Sequence, residues 1–250
     1  MNILYLFGTF FSIFVLLYSY NILVNPMLYV EKNYNIKNKK FILTIPTFLD
    51  STTEDRWLLL SKSIDSILTY DPYIYKFIDF YIINEYSPNP KEDWVTKIKE
   101  KYPFINFIQK TEKLMGQAET LNLILDLIQT YVYWVYWEDN SYSTRKFLLD
   151  AIHIMDNTKI TQLEFSKKYD FIWEDKNNIK NCHKLPRNNN YCMLSNSEYS
   201  LRSSINRVKD YNFGKFINES EFADRWMKNK YVKCVFYEGC VNYYDINKNI

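Results

Sequence analysis

An α/β fold, with a mostly parallel sheet flanked by helices, is predicted by three observations. Between residues 41 and 137, β-rich runs alternate with amphipathic helical runs, four of the first enclosing three of the second. The β-rich runs are apolar almost throughout instead of alternating with polar residues, as strands covered on both faces must be. Each of the clearest runs ends abruptly at a proline, an amide or an acid, which marks where the chain leaves the sheet.

Phe41 to Phe48 (FILTIPTF) is the first strand, expected to stop at Pro46 because proline cannot donate to a ladder. Ser51-x-x-Glu54 is a capping box for a helix carrying Trp57, Leu60, Ile64 and Ile67/Leu68 on one face. Ile78 to Ile83 is a second strand, delivering Asn84-Glu85-Tyr86-Ser87 to a loop with two prolines. A short helix with Trp94 and Ile98 precedes a strand at Phe104–Ile108. A third helix begins near Gly116 and runs through Ala118, Leu121, Leu125 and Ile128, and Tyr131 to Trp137 is the fourth strand. Ligands of such sheets bind at the carboxyl ends of the strands. That rule gathers Pro46-Thr47, Asn84-Glu85 and Glu138-Asp139-Asn140 into one neighbourhood.

Residues 1–30 stand apart as an expected membrane anchor, leaving 31–250 for one sizeable domain. Met1 to Val30 contains no charged side chain, and the 22 residues from Ile3 to Val24 are long enough to span a bilayer. Asn25-Pro26 breaks that helix, and no small-x-small cleavage site follows. The lysines at 32, 37, 39 and 40 would keep the domain in the cytosol, whereas a secretory-pathway enzyme faces the lumen, so the side of the membrane stays open. Cys182, Cys192, Cys234 and Cys240 fit either two disulfides or four separate thiols. Asn218-Glu219-Ser220 is a glycosylation sequon that chance explains equally well.

Composition excludes several classes. The net charge of +2 gives no reason to expect nucleic acid. Two histidines exclude multi-histidine metal chemistry, and His153 sits in an apolar helical run as a core or flank residue. The chain's 4 glycines are too few and too scattered for a phosphate cradle. A nucleotide here would need its phosphates neutralised in another way, and a divalent cation held by carboxylates is the obvious one. Glu138-Asp139-Asn140, at the end of a run of β-formers, offers the hard oxygen ligands that Mg²⁺ or Mn²⁺ prefers. An acidic turn closing a strand explains the same tripeptide equally well.

Three segments in order now resemble the GT-A (Rossmann-like) glycosyltransferases, particularly those allied to family 2. The first strand with its proline exit and Arg56 resembles the opening of those domains. Gly116-Gln117-Ala118-Glu119-Thr120-Leu121-Asn122 resembles their G-x-A-x-x-x-N segment, and Tyr136 to Asn140 resembles their DXD-type motif. The resemblance covers about residues 41 to 165, the nucleotide-sugar half, and more faintly 166 to 250, the acceptor half. It implies a nucleotide site touched by Thr47, Arg56, Glu85, Gly116, Asn122 and Glu138. It implies metal ligation at Glu138, Asp139 and Asn140, although Asn140 stands where an acid is usual and is a weaker ligand. Asn218 to Ala223 resembles the family's "ED" segment, which implies Glu219 as the catalytic base and Glu221 as its alternate; dipole capping of a helix explains the two acids as well. Ser195 to Val208, with Arg202, is either a wall of the acceptor pocket or a capped amphipathic helix. Asp245 stands in for the late metal-binding histidine that many GT-A enzymes carry.

Together these readings imply an inverting transfer of sugar from a nucleotide-diphosphate donor to a glycan or protein hydroxyl, with Mn²⁺ or Mg²⁺ as cofactor. A non-catalytic GT-A-like module that binds glycans or partners is the alternative that Asn140 favours. A sugar nucleotidyltransferase would need a Gly-rich loop with a nearby basic residue after the first strand, and Ile45 to Ser51 has neither.

Overall fold

A computed structural model of the chain describes residues 41–50, 54–87, 92–111, 116–165, 183–184, 191–195, 201–212, 214–229, 231–236 and 240–243. The membrane span expected at Ile3–Val24 lies outside them; among the described residues no helix is long and apolar enough to cross a membrane. Asp245 and Cys182 lie outside them as well.

Strand β1 (Phe41–Thr47) is central, with β2 (Ile78–Asn84) and then β3 (Ile105–Gln109) parallel to it on one side and β4 (Tyr133–Tyr136) parallel on the other. The connections are helices α1 (Glu54–Tyr70), α2 (Glu92–Lys101) and α3 (Gly116–Leu127), as the alternation predicts. Among the described residues two more helices follow, α4 (Leu148–Asn157) and α5 (Glu219–Lys228). Both faces of the sheet are covered. Ile42, Ile83, Trp134 and Tyr136 pack against Leu121, Ile124 and Leu125 of α3 and Phe222 and Trp226 of α5. On the other face the Trp137 indole donates to Ser63 Oγ of α1 (2.8 Å), and the Tyr133 hydroxyl donates to Asp156 of α4 (2.8 Å).

β1 does not stop at Pro46: it continues to Thr47, with Pro46 in register opposite Ile83. The Thr44 carbonyl accepts from Trp137 N (3.0 Å) and the Thr47 carbonyl from Glu85 N (2.8 Å), so even-numbered residues face β4 and odd ones β2. Pairing with β4 ends at Thr44, and the N–H that Pro46 lacks would point past that end. The ladder loses nothing.

Beyond β4 the order continues through β9 (Ser204–Arg207), β6 (Gln162–Glu164), β10 (Lys233–Phe236), β8 (Tyr191–Ser195) and β7 (His183–Lys184), a nine-stranded sheet in which β8 and β9 run against the rest. A separate antiparallel ribbon joins β5 (Ser141–Ser143) to β11 (Val241–Tyr243). β9 corrects the helix reading of residues 195–208. Its polar residues are buried but satisfied: Asn206 donates to Trp134 O (3.3 Å) and accepts from the Tyr211 hydroxyl (2.6 Å), while Gln162 donates to Ser204 Oγ (3.3 Å). The cysteines are also resolved in part. Cys234 is in a disulfide, whereas Cys240 is a buried free thiol whose titration burial pushes upward, so two bridges do not form.

Asp71, directly after α1, shows how the fold holds a charge at a cost. Its carboxyl accepts from the backbone of Phe147 and Leu148 at the start of α4, and burial raises its pKa from 3.8 to about 6. Between those values the folded chain keeps a proton that the unfolded chain has lost. Stability therefore falls as pH rises through this window, by about 3 kcal/mol at most, and stays lowered above it. Asp71→Asn removes that slope. Urea midpoints of wild type and variant should converge near pH 4 and separate above pH 6, with the variant the more stable; parallel profiles would refute it.

Candidate active site

Thr47, Glu85 and the Glu138-Asp139-Asn140 tripeptide come from the carboxyl ends of β1, β2 and β4, and all of them line one cavity of about 410 Å³. Pro46, Phe48 and Tyr136 and, from the beginnings of α1 and α3, Arg56, Gln117, Thr120 and Leu121 complete its wall. The neighbourhood drawn from the strand-end rule is thus a physical pocket. Asn84 braces its floor: its Oδ1 accepts from Leu49 N (2.8 Å) and its Nδ2 donates to Gln109 Oε1 (2.8 Å), tying the exits of β1, β2 and β3 together.

Asp139 is the best-held acid. Only 8% exposed, it accepts at Oδ2 from the Thr47 hydroxyl (2.7 Å) and from Arg56 Nη1 (2.9 Å). Glu138 is held from the far side of β4. Its backbone N–H donates to Ser203 Oγ (3.0 Å), Ser203 N donates back to its Oε2 (3.4 Å), and the Arg202 guanidinium lies 3.5 Å from Oε1. Arg202, read from sequence as a pocket wall, therefore faces the carboxylate side of the strand end. Glu85 forms a third cluster. Lys110 Nζ stands 3.3 Å from its carboxylate and donates to Thr120 Oγ1 (2.9 Å), and the Thr120 hydroxyl donates in turn to Glu85.

Each of the three cavity acids thus has a cationic partner: Lys110 for Glu85, Arg202 for Glu138 and Arg56 for Asp139. The carboxylates and the Asn140 amide are the hard oxygen donors that a divalent cation takes. Among the described residues, however, no group of three or more His, Cys, Asp or Glu is gathered to hold one. A cation held by these oxygens would need further ligands, such as those of a bound phosphate.

Other residues singled out by sequence lie elsewhere. Gly116 is the first residue of α3. Asn122 is not on the cavity wall; its amide donates to Phe216 O (2.8 Å) and accepts from Phe216 N (2.6 Å). Glu219 opens α5, where Asn218 is the cap and accepts from Glu221 N (2.8 Å). Glu221 turns its carboxylate to Arg225 (3.4 Å) and is 45% exposed there. Lys110 and Ser203 were missed by the sequence reading. Lys110 had a signal, since it directly follows β3 and the strand-end rule names it as readily as Glu85.

No protein-family model matches the sequence, and no curated protein matches it. Solved structures match by fold. One is GalNAc-T7 with UDP, GalNAc and Mn²⁺, at a TM-score of 0.60 and 10% identity, covering 85% of this chain and 45% of that one. Another is S. aureus TarS 1-349 in complex with UDP-GlcNAc, at a TM-score of 0.56 and 14% identity, covering 84% and 60%. The chain therefore spans 45–60% of the length of these proteins. At such identities the likeness is one of architecture: the chain has the GT-A glycosyltransferase fold.

Proposed function

We propose that this chain transfers a sugar from a nucleotide-diphosphate sugar to a hydroxyl of a glycan or protein. The observation that carries the reading is the cavity at the carboxyl ends of β1, β2 and β4, where Asp139 is fixed by Thr47 and Arg56 within a GT-A fold. The two neighbours above hold UDP or a UDP-sugar.

In this reading Arg56 faces the diphosphate, and Glu85, oriented by Lys110 and Thr120, faces the base or ribose. Glu138, Asp139 and Asn140 would hold Mn²⁺ or Mg²⁺. When bound, such a cation stabilises the diphosphate as it leaves. Glu219 takes the proton of the acceptor hydroxyl, whose oxygen attacks the anomeric carbon from the face opposite the leaving diphosphate, so configuration inverts. Such a base needs hydrogen-bond reach more than a shifted pKa. Residues 166 to 250 form the acceptor half, and Ile3 to Val24 anchor the chain in a membrane.

Two experiments test the reading. A calorimetric screen of UDP- and GDP-sugars should find a donor, and Glu219→Gln should abolish transfer with that donor still binding; full transfer in the variant removes Glu219 from the mechanism. Mn²⁺ alone should bind weakly, with Kd on the order of 1 mM, because both strand-end acids are ion-paired, and far more tightly once a nucleoside diphosphate supplies oxygens. Equal affinity with and without nucleotide would contradict that linkage. The second reading, a non-catalytic binding module, draws on Asn140 and requires that no nucleotide bind at all.

A further inference from the structure

The described wall of the cavity carries three negative charges and one positive: Glu85, Glu138 and Asp139 against Arg56. Lys110 and Arg202 pair with their acids but are not among the residues of that wall. Among the described residues, a polyanionic diphosphate in the cavity therefore meets one cation of the protein, and that cation is already engaged.

The engagement is lopsided. Thr47 and Arg56 both donate to Oδ2 of Asp139, at 2.7 and 2.9 Å, and among the described residues nothing donates to Oδ1. Thr47 is fixed, since it ends β1 and is 4% exposed. Arg56 is freer, as the third residue of α1 with a side chain 36% exposed. Its contact through Nη1 uses a single N–H of a guanidinium that carries five. Among the described residues Asp139 is its only partner. A partly exposed ion pair joined at one point is weak enough to exchange.

Charge dictates what would exchange it. A divalent cation at Asp139 shares one carboxylate with the guanidinium, and like charges so close oppose each other. A diphosphate offers the guanidinium oxygens for the two-pronged grip that Asp139 does not give it. Each ligand thus removes an obstacle to the other. We propose that Arg56 couples the two: it competes with the cation for Asp139 and yields that carboxylate when a diphosphate draws it away. Mn²⁺ and a nucleoside diphosphate then reinforce each other beyond what their direct contact supplies, and linkage makes the effect equal in both directions. The proposal rests on the nucleotide-sugar reading of the cavity and deepens it.

The test uses the full chain, with Mn²⁺ binding followed by electron paramagnetic resonance and UDP and GDP binding by calorimetry. Without nucleotide, Arg56→Met should bind Mn²⁺ about tenfold more tightly than wild type, whereas Arg56→Lys, which keeps the charge, should stay near wild type. With nucleotide saturating, Arg56→Met and wild type should bind Mn²⁺ alike, so the enhancement by nucleotide shrinks about tenfold. Enhancement of nucleotide binding by Mn²⁺ shrinks by the same factor. Arg56→Gln, a second neutral variant, should behave as Arg56→Met does, so that a folding fault in one does not decide the result. Unchanged Mn²⁺ affinity in both neutral variants overturns the competition. Mn²⁺ binding that tightens equally with and without nucleotide overturns the exchange, because Arg56 then opposes the cation whether or not a diphosphate is present. A wild type that binds neither UDP nor GDP overturns the sugar-transfer reading and the coupling with it. A wild type that binds one of them, with the enhancement unchanged in the variants, overturns the coupling alone.

Discussion

In the proposed reaction Asp139→Asn should lower sugar transfer by about two orders of magnitude or more, the largest loss expected from any single change in the cavity. The wild-type carboxylate accepts from both Thr47 and Arg56 at one oxygen. An amide of the same shape can still offer its one carbonyl oxygen to those two donors, while its NH₂ takes the place of the other carboxylate oxygen and carries no charge for Arg56. In the proposed reaction the site would also lose a negative charge and a hard cation ligand beside the leaving diphosphate. A loss of about 3 kcal/mol of that stabilisation is a factor of about 10² in rate. The folding cost is smaller, about 1–2 kcal/mol, because the Arg56 side chain is 36% exposed and water recovers part of what it loses. Thr47→Val supplies the scale, since it removes one hydrogen bond and leaves the ion pair, and should cost about 1 kcal/mol. Urea denaturation and steady-state transfer on the two variants separate these contributions. Wild-type kcat in Asp139→Asn would put Asp139 outside the reaction altogether.

How far the sequence showed this site depends on what kind of contact each residue makes. β1, β2 and β4 were legible because burial on both faces leaves long apolar runs, and the strand-end rule then pointed to Thr47, Glu85 and Asp139 with no knowledge of their neighbours. β9 was not, because Ser204 and Asn206 read as surface residues until Gln162, Trp134 and Tyr211 are seen to satisfy them. β6 hides in the same way: it is three residues long, and its buried Glu164 pairs with Lys233 of β10 at 2.7 Å. Short strands held by cross-strand polar pairs carry no periodic signal. Pro46 misled for a geometric reason, since its consequence depends on whether the neighbouring strand still runs beside it.

Asn122→Ala should destabilise the fold by about 2–4 kcal/mol, because it strands both backbone groups of Phe216. Phe216 is 4% exposed and 94 positions away in sequence, and its N–H and C=O are each bonded to the Asn122 amide. The segment it belongs to is held at two other points: Gly214 has φ of +101°, which favours glycine, and Arg225 donates to Lys215 O (2.5 Å). Two residues beyond Phe216 come the cap Asn218 and then Glu219. In the proposed reaction Asn122 is therefore a positioning residue for the base, and a displacement of that segment by about 1 Å costs about 10² in rate. The family resemblance implies a different role for the same residue, contact with the nucleotide, and the kinetics distinguish them. If Asn122 positions the base, donor Kd stays near the wild-type value while kcat falls, and Asn122→Asp, which keeps the acceptor for Phe216 N–H, recovers part of the stability. If donor Kd rises and kcat holds, Asn122 belongs to the nucleotide site despite its distance from the cavity wall, and the segment from Gly214 to Glu219 is set by Arg225 and the glycine alone.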